Sequence, residues 1–281
     1  MMVLRKYLEL ANTQREAAAA WLLIGAIFFA MRSCEYLHTS TESTKRTKVI
    51  RVGSITFKKG HSTIDHSHPE LHKSDMVRIR FEYQKNDRRD VYIHMFKSGD
   101  EKLCPVIAWA YTVKRVRAIP GSNDESKVCM FQEKSKKVSM ITAEFVRTSL
   151  RSIVQLIGED ELGFSKNEIG LHSIRSGGAM AMFLSGISVI VIQRVGRWSS
   201  EAFLEYIRDQ VESFTAGVSK KMLAHETFFN LRPPDTISDS TPDTAHEQLE
   251  VDNTSEDGLV MVSHNVKFSK ETLGKKNDDT M

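Results

Sequence analysis

"LHSIRSGGAMAMFLSGISVIVIQRVGRWSSEAFLEYIR" runs from Leu171 to Arg208. Its reading decides the fold. Two apolar helical segments, 172–186 and 187–198, are separated by a break near Gly186. Ser199 or Ser200 then caps a further helix through Arg208, with Glu201 suited to its positive end. His172 and Arg175 stand three apart and share one helical face. Gly177 and Gly178 follow, and glycine is costly inside a helix unless something must approach the backbone closely. Tyr206 lies in a stripe with Phe203 and Ile207, so helix packing alone accounts for an aromatic there. His-x-x-Arg alone is a short pattern that reads equally as a helix start with a solvated arginine.

Working outward, "FFAMRSCEYLH" (28–38) closes the most apolar part of the chain. Residues 14–38 read as one helix, hydrophobic nearly all round and therefore buried. Arg32 emerging from such a helix must find an anion or water, and Glu35 is the obvious partner. Glu35 would then also orient a guanidinium that serves a substrate. The apolar run Ala17–Met31 is shorter than the ~20 residues of a membrane span, and it lies too far in for a signal peptide. No membrane association is expected. Segments 49–57, 75–83 and 91–96, rich in β-branched and aromatic residues, read as strands. The last two make a hairpin with a basic tip holding Lys85, Arg88 and Arg89. Pro105 opens a helix over 104–119. "VCMF" (128–131) is a short buried piece. Residues 142–158 form an amphipathic helix with Phe145, Leu150, Ile153 and either Leu156 or Ile157 facing inward. The fold class is α+β, mostly α, with a small antiparallel sheet inserted after the first helix.

The chain has 281 residues, 41% of them hydrophobic, enough for a sizeable core. The net charge of +3 hides an asymmetry. Residues 230–281 hold 11 acidic and 5 basic side chains, so residues 1–229 carry a balance of +9. A basic folded part with an acidic tail suggests a polyanionic partner. Residues 1–229 read as one domain and 230–281 as a disordered acidic tail, with "LVMVSHNVKF" (259–268) a short apolar exception. Three scattered cysteines suit a reducing compartment and offer no zinc spacing. No cofactor and no metal are expected.

In chain order the sequence presents Arg32 and Glu35, hairpin Lys85, His172 and Arg175, Gly-Arg-Trp at 196–198, and Tyr206. This order resembles the catalytic domain of the tyrosine recombinases, the phage integrase family. Trp198 follows Arg175 by 23 residues, the interval that family keeps between its second arginine and its His/Trp position. "LCPVIAWA" and "GRWSSEAFLEYIR" are similar to the forms in eukaryotic mobile elements of the Crypton and DIRS type. The resemblance spans about residues 10–225. The family sets its tyrosine nine residues past the His/Trp position, whereas Tyr206 follows Trp198 by eight. Arg197 is therefore carried beside Trp198 as the alternative.

The resemblance implies a site-specific recombinase that cuts and rejoins double-stranded DNA through a 3′-phosphotyrosine on Tyr206. In it Arg32 and Arg175 would clamp the phosphate, and Lys85 would protonate the leaving 5′-oxygen. His172 would take the tyrosine proton or orient the phosphate, and Trp198 would buttress the tyrosine helix. Arg88 and Arg89 would contact DNA. It also implies a tetramer on synapsed DNA, and a nuclear setting in a eukaryote or a cytoplasmic one otherwise. The family's separate N-terminal DNA-embracing domain is not expected in this chain. The same residues suit a type IB topoisomerase-like activity or a catalytically inert DNA-binding descendant.

Overall fold

The computed structural model describes residues 1–39, 47–83 and 90–198. Lys85, Arg88, Arg89, Tyr206, the helix expected at 199–208, the boundary at 229/230 and the tail lie outside the described residues. Within them the protein is mostly helical with a small antiparallel sheet.

The centre of the fold is α2 (Gln14–Phe28), preceded by α1 (Met2–Leu10). A capping box starts α2: Thr13 Oγ1 accepts from the Glu16 N–H at 3.1 Å and Glu16 Oε2 accepts from the Thr13 N–H at 3.0 Å. Leu22, Leu23, Ile24 and Ala26 are fully buried, as an all-round apolar helix requires. Against α2 packs α4 (Pro105–Arg117), so close that a Cβ on Gly25 would lie 2.8 Å from the Trp109 ring. Arg115 of α4 donates to the Ala18 and Met130 carbonyls, both at 3.2 Å, and to the Val128 carbonyl. Burial lowers its pKa to about 10, so it stays charged at neutral pH and ties three segments together.

The helix expected over 14–38 is two helices. α2 stops at Phe28, and α3 (Ser33–Tyr36) follows. Ala30 takes a left-handed φ of 42°. The Ala30 N–H bonds to the Ile27 carbonyl at 3.1 Å and the Met31 N–H to the Ala26 carbonyl at 3.0 Å. That is a Schellman closure, made with alanine where glycine is usual.

The sheet has the order β2-β1-β3-β4, with β1 (Ile55–Lys59), β2 (Ser62–Ile64), β3 (Met76–Phe81) and β4 (Val91–Phe96). β3 and β4 form the expected antiparallel pair, in the register Ile79↔Ile93 and Phe81↔Val91. Ile55, Phe57, Val77, Ile79 and Phe81 alternate inward. The strand expected at 49–57 begins only at Ile55. Its first half bonds to other partners: the Ile50 N–H to the Glu35 carbonyl, the Val52 N–H to the Ser126 carbonyl and the Gly53 N–H to the Asp124 carbonyl, all at 2.9 Å. The buried "VCMF" piece enters a second hairpin of β5 (Met130–Gln132) and β6 (Val138–Met140).

α5 (Ala143–Ile157) buries Val146, Leu150, Ile153 and Val154, with Phe145 and Ile157 partly buried. Leu156 points to solvent, so of the two candidates Ile157 is the inward one. After the short α6 (Glu159–Leu162) come α7 (Leu171–Leu184) and α8 (Val189–Gly196), separated at Gly186, whose φ is 76°. Among the described residues no helix is long and apolar enough to cross a membrane.

α7 lies directly on α2. A Cβ on Gly178 would stand 2.3 Å from the Ile27 carbonyl oxygen, whereas one on Gly177 would meet nothing within 4 Å. The adjacent glycines thus differ in purpose, and the close approach at Gly178 is by backbone. Gly178→Ala is expected to destabilise the protein by about 1–3 kcal/mol. Gly177→Ala is expected to be neutral or to stabilise by up to about 1 kcal/mol. Paired denaturant-unfolding curves check this, and equal effects at both positions would contradict the packing.

Candidate functional site

The site is built where two helices end. α8 finishes as α2 does: Arg197 has φ 58° and ψ 43°, its N–H bonds to the Arg194 carbonyl at 3.1 Å, and the Trp198 N–H reaches the Gln193 carbonyl at 3.0 Å. Both ends therefore place a non-glycine residue in the left-handed position. Both present carbonyls at the negative pole of a helix, where cations are favoured.

Guanidinium groups collect there. Arg175, on α7, donates from Nη1 to the Ala30 carbonyl and from Nη2 to the Gly196 carbonyl, each at 2.5 Å. Its guanidinium carbon lies 4.1 Å from the centre of the Trp198 ring. The residue is only 3% exposed. Trp198 joins Ala30, Ala179 and Ile192 in a small satellite core. Gly196 is required beside it, because a Cβ there would fall inside the indole.

Arg197 is the more deeply committed residue. Its Nη2 lies 2.7 Å from Glu35 Oε2, and its Nη1 donates to the Phe29 carbonyl at 3.0 Å and the Val195 carbonyl at 2.9 Å. Its guanidinium carbon sits 3.6 Å from the Phe81 ring centre. Both side chains of the Arg197–Glu35 pair are 1% exposed. Burial lowers the Arg197 pKa, and the Glu35 carboxylate opposes that shift.

Arg32 caps the N-terminus of α3, and its backbone N–H donates to Glu35 Oε2 at 2.8 Å. Its guanidinium makes only a 3.4 Å contact with Glu35 Oε1, and the side chain is 24% exposed. The expected Arg32–Glu35 pair is thus present but loose. Glu35 is shared, and its tighter partner is Arg197. Sequence reading carried Arg197 only as a stand-in for Trp198. The structure separates the two: Arg197 binds Glu35 while Trp198 covers Arg175. Phe81, read only as a strand residue, proves to be the aromatic floor beneath Arg197.

His172 stands one turn before Arg175 with its side chain exposed. Loss of solvent, then the Arg175 charge, then the Arg32 charge lower its pKa from 6.5. Arg175 bonds to the Ala30 carbonyl, two residues before Arg32, and His172 stands one turn before Arg175, so the three lie at the end of α2, with Glu35 and Arg197 behind them. Among the described residues this end of the fold gathers three guanidiniums and the Glu35 carboxylate. Among the described residues no three histidine, cysteine or acidic side chains gather as a metal-ligand set.

No protein-family model matches this chain, and no curated protein matches it. Among solved structures it is similar to the XerH site-specific recombinase bound to palindromic difH substrate, in a post-cleavage complex. That likeness has a TM-score of 0.47 and 14% identity, covering 79% of this chain and 52% of the other. A pre-cleavage complex of XerH with difH substrate gives a TM-score of 0.45 and 13% identity, covering 75% and 49%. The chain spans about half the length of those recombinase chains.

A depressed His172 pKa means that the folded state holds the neutral ring. The unfolded chain takes up the proton first as pH falls, so this contribution to stability is complete above pH 6.5 and is lost below it. Arg32→Gln or Arg175→Gln should move the His172 pKa upward, and so should an anion at the site. Titration of the imidazole resonances by NMR checks the direction. A pKa that stays put in both variants would show that the guanidiniums do not face the ring.

Proposed function

We propose that this chain is the DNA-cutting core of a tyrosine recombinase. The observation that carries the reading is the convergence of Arg32 and Arg175. They lie in distant parts of the sequence, yet Arg175 bonds to the Ala30 carbonyl, two residues before Arg32. Guanidinium forks match two non-bridging phosphate oxygens and stay charged at any working pH. They would stabilise the charge gathered in the transition state as an oxyanion hole does.

The chemistry assigned to the site is a transesterification. The Tyr206 oxygen forms a bond to phosphorus as the bond from phosphorus to the 5′-oxygen breaks. Lys85 gives the leaving oxygen its proton, and neutral His172 takes the tyrosine proton. A 5′-hydroxyl later attacks the phosphotyrosine and restores the DNA, so the bond energy is conserved. The Trp198 body supports the tyrosine helix, and its N–H is suited to one phosphate oxygen. Glu35 supports Arg32 by accepting from its backbone N–H at the start of α3, while the Arg32 guanidinium, in loose contact at 3.4 Å, is left to the phosphate. Arg88 and Arg89 contact the DNA backbone, and four copies act on synapsed duplexes.

A second reading draws on one observation. Arg175 is buried, donates to two carbonyls and lies under Trp198. A phosphate clamped by Arg175 has to reach a side chain that Trp198 covers and that is 3% exposed. A DNA-binding descendant without turnover leaves that cover in place.

A nicked suicide substrate that traps the covalent intermediate separates the two. The recombinase reading expects a DNA–protein adduct that Tyr206→Phe abolishes while DNA affinity stays nearly unchanged. Arg175→Ala is expected to lower adduct formation on the order of 10²–10³-fold. Binding without any adduct supports the inert descendant, and full adduct formation by Tyr206→Phe removes the nucleophile assignment. DNA affinity is also expected to fall steeply with salt, because phosphate contacts release counterions. A flat plot of log affinity against log salt would count against both readings.

A further inference from the structure

We propose that Arg197 is a positioning residue, which holds the Glu35 carboxylate so that the Arg32 guanidinium stays available to an incoming phosphate. The proposal rests on the reading that Arg32 meets a phosphate.

The geometry of Glu35 carries the argument. Its Oε2 is occupied by Arg197 Nη2 at 2.7 Å and by the Arg32 backbone N–H at 2.8 Å. Only Oε1 faces the Arg32 side chain, at 3.4 Å, well beyond the 2.7–2.9 Å of a full charge-assisted hydrogen bond. The carboxylate is 1% exposed, so its charge must be met by protein groups. Among the described residues the other cation in contact with Glu35 is Arg32, three residues before it at the N-cap of the same short helix. Arg32 would then turn inward to form a tight pair and would be withdrawn from solvent.

The backbone gives independent support. Arg197 sits at φ 58°, a position where glycine is free of strain and other residues incur on the order of 1–3 kcal/mol. A glycine there would end α8 equally well, so the strain is retained for a side chain. That side chain is anchored by the Phe29 and Val195 carbonyls and the Phe81 ring, all of which fix its reach toward Glu35. Arg197 is only 2% exposed, and among the described residues the group it shares with Arg32 is the Glu35 carboxylate.

The test pairs a measurement on the free protein with one on DNA. Arginine side-chain NMR reports rotation of the Arg32 guanidinium about its Nε–Cζ bond. In the wild type it is expected to be fast. In Arg197→Met it should become slow as Arg32 closes on Glu35. Adding Glu35→Gln to that variant should restore fast rotation, because the buried negative charge is gone. Arg197→Lys keeps a cation for Glu35 and should leave Arg32 fast, which covers the case in which Arg197→Met does not fold.

On the nicked substrate, Arg197→Met should cut the adduct-forming rate on the order of tenfold to a hundredfold. The double variant should recover most of that rate although it lacks both buried charges. Fast Arg32 rotation in Arg197→Met, slow rotation in Arg197→Lys, or no recovery in the double variant would overturn the positioning role. A wild type that forms no adduct while the rotation follows the expected pattern would overturn the recombinase reading alone.

Discussion

The site depends on two helix ends that face each other. α2 and α8 both stop in Schellman closures, and the carbonyls each releases are met by arginines from elsewhere. Arg175 binds both ends at once. Arg197 binds the last turn of α2 and the last turn of its own helix. Remove the stop at Ala30 and α2 would run on through the space these side chains use. The arginines of the site are thus held where two helices end.

The same arrangement answers the question of charge in a dry interior. Burying a guanidinium is costly unless its donors are satisfied. Arg175 and Arg115 are met in the described contacts by carbonyl dipoles rather than by carboxylates. Arg197 pairs with the buried Glu35 carboxylate, and it also rests on an aromatic face. Among the described residues, the arginines at the two helix ends are thus held by carbonyls, one carboxylate and two aromatic faces.

Much of the fold was legible in the sequence. β4 has the expected bounds, and α4, α5, α7 and α8 differ by a few residues, since Pro105, the Thr142 cap and Gly186 are local signals. The break in α2 was not legible, because Ala30 is an ordinary helix former. Its left-handed turn is stabilised by Arg175 and Arg197, which lie 145 and more residues away. α1 sets Val3, Leu4, Tyr7 and Leu8 on one face at helical spacing, a two-turn signal overshadowed by the long apolar run of α2. Leu156 and Ile157 are neighbours in a final turn, where one residue of drift decides which faces inward. At the site, spacing accounts for the shared face of His172 and Arg175 and for the Arg32–Glu35 pair, whereas grouping the two pairs came from the resemblance. The burial of Arg197 was hidden, because an arginine is assigned to the surface unless its carboxylate partner is known. The roles of Lys85 and Tyr206 came from resemblance, and both lie outside the described residues.

Ala30 also sets a narrow tolerance to substitution. Its φ of 42° favours glycine, yet it belongs to the satellite core with Ala179, Ile192 and Trp198 and is fully buried. Glycine would ease the backbone and leave that core short of a methyl group. Any larger side chain would press on the indole that covers Arg175. The left-handed φ and the closed satellite core together leave room here for only the two smallest amino acids. A chain that keeps the arginines but carries a bulky residue here must have moved its helix end, and with it the floor of the site.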